Sequence, residues 1–296
     1  MEKKKYQHNV TNMSDLRAKD QQISAAQDDA SLLIDRLNCL NSIKMLCKLI
    51  KVIQKHRGAS ISCINGDTGF LALRENLEGQ ADRLFMLLLR QQNIHGAIPQ
   101  VRMLASLNDW QSIKLGWQKD TVILNYEFHS HLVDALNRIT RECVREASAD
   151  IVESNTVEGI HAILIDVPEN IELLAKMRGL ATHIAVTGYM DEDSRLRIAF
   201  LCERITRDYK RLYHALNALG GTMTGVQALH ALPRHKSRLE QLLQQVNDGI
   251  LKSHGVTARA ASLFELATEI IDVYWTIVEQ GLHVVEECQF QRYLKD

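Results

Sequence analysis

The sequence predicts an all-α protein, a bundle of long helices with a four-helix core and additional packed helices. Three observations lead there. The 296 residues include only 15 Gly and 3 Pro, about half the usual share of the two residues that punctuate a backbone. A sandwich or propeller needs a turn every ~8–12 residues, and an open α/β fold needs repeated β-branched runs that the chain lacks. Apolar residues instead recur at three- and four-residue steps, the period of an amphipathic helix.

Taken in order, residues 1–30 are polar and thinly hydrophobic, too poor in apolar groups to offset the entropy of ordering them, and predict a flexible leader. From Ser31, Leu33, Leu37, Leu40, Ile43, Leu46, Ile50, Ile53 and Ile61 mark one face of a helix running to about Cys63, which Asn65-Gly66-Asp67-Thr68-Gly69 breaks. Leu71, Leu77, Leu84, Leu87 and Leu88 carry a second helix to a turn near His95–Pro99. A short helix follows over 100–108. A long one starts near Asp120 and runs to about Ile165, where Pro168 ends it. Glu169–Thr187 closes on Gly188, and Asp191–Leu219 follows, with Asp191 or Asp193 as its N-cap and Gly220-Gly221 past its end. Helices over 224–252 and 257–293 complete the set. No linker divides residues 31–293, which read as a single domain without an output domain.

Composition excludes several classes. The 35 Lys+Arg against 36 Asp+Glu lack the basic excess that grips a polyphosphate, so direct nucleic-acid binding is not expected. The six cysteines form no Cys-x-x-Cys pair and read as small buried hydrophobes in a reducing compartment. The longest apolar run, Leu84–Leu89, is too short for a signal peptide or a membrane span, so a cytoplasmic location is expected. A di-iron bundle requires two Glu-x-x-His units, whereas only Glu158-Gly-Ile-His161 occurs. Glu127, His129 and His131 suggest a surface cluster, more simply a solvated Glu127–His131 pair at i,i+4. In a phosphotransfer bundle the acceptor histidine would stand at Gln54, and His56 points about 100° away from Arg57 around the helix. No nucleophile, P-loop or dinucleotide motif is present, so neither enzymatic activity, nor a cofactor, nor a metal is expected.

The informative feature is a pair of Arg-Gly steps on apolar helix faces. Arg57 stands in line with Ile50, Ile53, Ile61 and Ile64, and Arg178 with Ile171, Leu174, Ala181 and Ala185. The two segments, Ile53-Gln-Lys-His-Arg57-Gly58 and Leu174-Ala-Lys-Met-Arg178-Gly179, form a local repeat. Arginine cannot shed its charge, and an unpaired buried charge costs several kcal/mol, so something negative must meet each guanidinium. Internal carboxylates such as Asp166, Glu169 or Glu203 would serve, as would snorkelling to solvent. Alternatively, the two forks converge on one cavity as an anion clamp. Gly58 and Gly179, each costing about 1 kcal/mol in a helix interior, would let a helix or ligand approach beside each fork.

These residues resemble the nitrate- and nitrite-sensing (NIT) domain family. Its Gln-x-x-Arg-Gly segment is matched by Gln54-Lys-His-Arg57-Gly58, and its Leu-Arg-Gly-Leu-Gly-Thr segment by Met177-Arg178-Gly179-Leu180-Ala181-Thr182. Its closing-helix pattern is matched by Ser262-Leu-Phe264-Glu-Leu-Ala267-Thr268-Glu-Ile-Ile271-Asp272, with Leu263 where the family has Trp. The resemblance implies an all-helical sensor in which Arg57 and Arg178 hold nitrate or nitrite, and a homodimer. The family usually joins this domain to an output module, and since none is read in this chain, the expected sensor acts on an output protein in trans or through its own dimer. Ser60 and Thr182 lie within a turn of the arginines and would add hydroxyl donors. The expected mechanism is that two like charges repel in the apo bundle and the anion draws the helices together. The alternative is a helical scaffold or regulatory protein that binds only a protein partner.

Overall fold

The computed structural model describes residues 2–95, 100–148, 154–219, 225–253 and 255–293, and among these every regular element is helical. The predicted turn over 96–99 and the Gly220-Gly221 stop lie outside the described residues.

Helix α1 (Glu2–Ile64) begins far ahead of Ser31, so the backbone of residues 2–30 is helical where the sequence predicts a flexible leader. Its Ala, Gln, Lys and Glu are strong helix formers, and extending an existing helix avoids the cost of nucleating one. The helix ends in a turn where Gly66 adopts φ +93° and the Asp67 carboxylate accepts the Gly69 N–H. Helices α2 (Leu71–His95) and α3 (Gln100–Gly116) follow. The latter runs past the predicted stop near 108 because Trp110 and Ile113 continue the buried face begun by Met103 and Ser106.

Thr121 caps α4 (Val122–Ala147) by accepting the Leu124 N–H. The predicted single run from 120 to 165 is divided. After Ser148 the chain resumes as α5 (Ser154–His161), widens into one π-helical turn over Ala162–Asp166, and continues as α6 (Val167–Thr187). Pro168 therefore stands in the first turn of α6 instead of ending a helix, a position that tolerates its missing N–H. Gly188, at φ +64°, closes α6. Asp191, accepting the Ser194 N–H at 2.7 Å, proves to be the cap of α7 (Glu192–Leu219). A short 3₁₀ turn leads into α8 (Leu232–Val246), and α9 (Ala260–Tyr293) is the last helix.

The core consists of α1, α4, α6 and α9 packed together, with α2 and α3 against α1 and α4, and α7 and α8 against α6 and α9. Its interior includes Leu40, Ile43, Ile50, Leu132, Leu136, Ile171, Leu174, Ile270 and Ile277. Each contributes about 1.5–3 kcal/mol by leaving water. Polar contacts fix the directions. Lys44–Glu286 and Lys51–Glu279 set α9 antiparallel to α1. Gln54–Glu172 and Asn65–His183, both 118 residues apart, set α6 parallel to α1.

Each half of the chain thus contributes two core helices and a flanking pair, related by a pseudo-two-fold axis that runs between the parallel α1 and α6. Arg57 and Arg178 are equivalent across it. So are Tyr126-Glu-Phe-His-Ser130 of α4 and Phe264-Glu-Leu-Ala-Thr268 of α9.

Candidate functional site

A cavity of about 80 Å³ lies on this axis. Gln54, Arg57, Gly58, Ile61, Ser62 and Asn65 line it from α1, Ala175, Arg178, Gly179, Thr182, His183 and Val186 line it from α6, and Phe264 adds a wall from α9. Every α1 residue is answered by the α6 residue 121 positions on. Such a space admits a few waters or one small polyatomic ion.

The arginines are held alike. The Arg57 guanidinium lies 5.6 Å from the Tyr126 ring centre and donates to Ser130 Oγ at 2.9 Å. Ser130 in turn donates to the Tyr126 carbonyl. The Arg178 guanidinium lies 5.0 Å from the Phe264 ring centre and donates to Thr268 Oγ1 at 2.8 Å, which donates to the Phe264 carbonyl. Within the closing-helix segment, Phe264 and Thr268 therefore fall one turn apart on the face that meets Arg178.

Their electrostatics differ. Arg57, 2 % exposed, forms a two-pronged ion pair with the equally buried Glu172, Nη1 to Oε1 at 2.7 Å and Nη2 to Oε2 at 3.3 Å. Gln54 Nε2 donates to the same carboxylate at 2.8 Å. Burial opposes the Arg57 charge, yet the Glu172 carboxylate holds its pKa above the ordinary range. The internal counter-ion is thus Glu172 and none of the carboxylates named from the sequence. Glu169 binds Arg141, and neither Asp166 nor Glu203 pairs with either arginine. Among the described residues Arg178 has no carboxylate within 4 Å. Burial, then the Arg57 charge, push its pKa down to about 10, while Asp272 and Glu172 act in the other direction. The predicted repulsion therefore falls on Arg178, and Arg57 is already compensated.

The supporting residues divide. Thr182 lines the cavity, and its buried Oγ1 has no hydrogen-bond partner. Ser60 does not line it; it lies 3.3 Å from His56 Nδ1 on another face of α1. A Cβ on Gly58 would meet nothing within 4 Å, and one on Gly179 would touch the Tyr126 ring at an ordinary 3.7 Å. Neither glycine is required by close packing. That role belongs to Gly281, where a Cβ would overlap Ile163 in the π turn, and to Gly249 against Ala258.

Facing α3 and α4, His56 and His129 form a buried pair, Nδ1 to Nε2 at 2.8 Å, with Trp110 edge-on to His56. His129 Nδ1 meets the Asn125 carbonyl at 2.7 Å and must donate there, so its Nε2 accepts from His56 Nδ1–H. The lone pair of His56 Nε2 is left buried and unpaired. His129 is therefore no part of a surface cluster, and Glu127 pairs with Arg197 instead of His131. Among the described residues no three His, Cys, Asp or Glu side chains group to hold a metal, and no helix is long and apolar enough to cross a membrane.

Sequence reasoning missed Glu172 and the Tyr126/Ser130 cradle. The available signals were a lone carboxylate inside the apolar run Ile171–Ala175, and the kinship of residues 126–134 with 264–272, both ending in two aliphatic residues and Asp. Comparison with protein-family models, with curated proteins and with solved structures found no match for the chain.

Proposed function

We propose that the protein is a sensor that binds nitrate or nitrite in the axial cavity and signals through the packing of α1 against α6. The carrying observation is that Arg57 and Arg178, distant in sequence, line one small cavity on a pseudo-two-fold axis. Of the two, Arg178 brings an uncompensated positive charge. A planar monoanion suits this place, because nitrate and nitrite contain a two-fold axis and cost less to desolvate than phosphate or sulfate. Arg178 would supply the main charge-assisted hydrogen bonds and Thr182 a hydroxyl donor. Arg57 takes part by loosening its grip on Glu172. A ligand that binds the two helix packings unequally shifts their populations by no more than that difference. The signal passes to an output protein in trans; exposed Phe128, Leu196 and Phe200, each within a turn of the Arg197–Glu127 pair, offer apolar surface for it or for a second copy.

Isothermal calorimetry tests this directly, with chloride as control. Nitrate or nitrite should bind and raise the melting temperature as a native-state ligand must, through a stabilisation of about 2.7 kcal/mol at a hundredfold excess over Kd. Arg178→Ala should remove binding while helicity persists. No heat and no thermal shift at millimolar nitrate and nitrite would sink the reading. Arg57→Ala is the poorer probe, since it strands the buried Glu172 charge.

One observation favours a second reading, a helical regulator that binds only protein. Glu172 already satisfies the Arg57 fork from within, as a structural ion pair would. On that reading nitrate and nitrite leave the melting curve unchanged.

A further inference from the structure

The lining of the axial cavity grows more exposed along the two helices. Arg57 and Ala175 are buried, Ser62 and His183 half-buried, and Asn65 and Val186 exposed, so the last four form its mouth. Apart from the two arginines, His183 is the one titratable side chain among the described lining residues. The repeat does not supply it twice, since its counterpart across the axis is Ser62.

His183 is tied down at one edge. Asn65 Nδ2 lies 3.4 Å from its Nδ1, a long hydrogen bond that joins α1 to α6 across the mouth. With Nδ1 accepting from the Asn65 amide, the neutral ring carries its proton on Nε2. Among the described residues no protein group bonds that Nε2, and the ring is open enough to be reached.

Few charges face the ring. Ser62 and Asn65 of α1 and the Phe264 ring of α9 are uncharged. Arg178 stands just over one turn back along α6, and Arg57 is held by Glu172. Asp191, in the turn ahead of α7, draws the His183 pKa up, but burial is the larger effect and holds it below the ordinary 6.5. Without an anion beside it the ring is therefore neutral near pH 7. A negative charge in the same small cavity reverses the preference, because it favours the imidazolium. An anion there also shares the two guanidinium groups with the Glu172 carboxylate. His183 lies about 16 Å along α6 from Glu172, so a cation at the mouth serves the anion alone.

We infer that the axial site takes up its anion together with a proton from solvent, which His183 accepts at Nδ1 while the Asn65 amide turns over to present its oxygen. The inference rests on reading the cavity as an anion site. Its sign is fixed by linkage. An anion that raises the His183 pKa binds most tightly below the pKa of the free ring, and the gain is lost as pH rises through the pKa of the anion-bound ring.

Calorimetry of the full chain with nitrate, which is ionised throughout this range, tests it at constant ionic strength. Affinity should be about five- to tenfold higher at pH 5.5 than at pH 8. At pH 6 the heats in MES and in bis-Tris, buffers of different ionisation enthalpy, should differ as proton uptake requires. His183→Gln, which keeps an amide beside Asn65, should bind nitrate at pH 8 nearly as tightly as the native chain and lose both the pH dependence and the proton uptake. Nitrate binding that is flat in pH, equal heats in the two buffers, or an unchanged pH slope in His183→Gln would each overturn the inference while leaving the anion site standing. No nitrate binding at either pH would remove both.

Discussion

At Gly58 the absent side chain borders open space, whereas at Gly281 it borders Ile163. Opposite outcomes follow. Gly58→Ala should raise stability by up to about 1 kcal/mol, the helix-propensity difference between the two residues. It should also weaken anion binding, because the new methyl enters the axial cavity. Gly281→Ala should lower stability by about 1–3 kcal/mol, the usual cost of overpacking. Urea denaturation of both variants, with nitrate titration of the first, checks the pair. The sequence marks Gly58 as unusual but contains no distance, so it does not separate a glycine beside a void from one beside a neighbour. The same limit hides Glu172. Helical spacing places Arg57 on an inward face, but a partner 115 residues away depends on which helices become neighbours.

Between α1 and α4, His56 and His129 titrate far below an ordinary histidine. Burial first, then their mutual repulsion, hold His56 down at about 2. Burial holds His129 at about 3 against the opposing Asn125 carbonyl bond. The unfolded chain takes up both protons near pH 6.5 and the folded chain does not, so the native state is favoured fully above pH 6.5. Stability should fall as pH drops from there towards about 3, by up to about 1.4 kcal/mol per pH unit for each histidine. In His129→Gln the fall between pH 6 and 4 should be shallower by about one proton's slope, measured as urea midpoints. Helix boundaries set by turn chemistry were legible at this scale: the stop at Asn65–Gly66, the Gly188 cap and the Asp191 cap agree with the residues that predict them. The division of α4 from α5 and the passage through Pro168 were not. Apolar periodicity continues across both, and a π turn displaces the register by a single residue. The kinship of α4 with α9 was obscured because, in nine residues, only Glu127 with Glu265 and Asp134 with Asp272 are identical, the rest of the likeness being of type, Tyr with Phe, Ser with Thr and one aliphatic pair with another.

Across the whole molecule, the Arg57–Glu172 pair joins α1 to α6 and so one half of the chain to the other. Removing one partner leaves a buried charge unmet. Arg57→Met and Glu172→Met should therefore each cost about 3–5 kcal/mol, while the double variant, with both charges gone, should recover much of the loss. Additive losses in a double-mutant cycle of urea midpoints would show that the pair is not coupled. The fold class was legible from scarce Gly and Pro together with the helical period. The duplicated plan was only hinted at by the two Arg-Gly steps, since it becomes visible once α1 and α6 lie side by side. One dimension of that plan gives the axial cavity reach. From Arg57 back to Glu2, α1 continues for roughly 80 Å at 1.5 Å per residue. A helix of that length pivots like an oar. A tilt of about 3° at the fulcrum, the scale on which an ion entering between α1 and α6 would act, carries the distal blade some ~4 Å if the helix stays stiff.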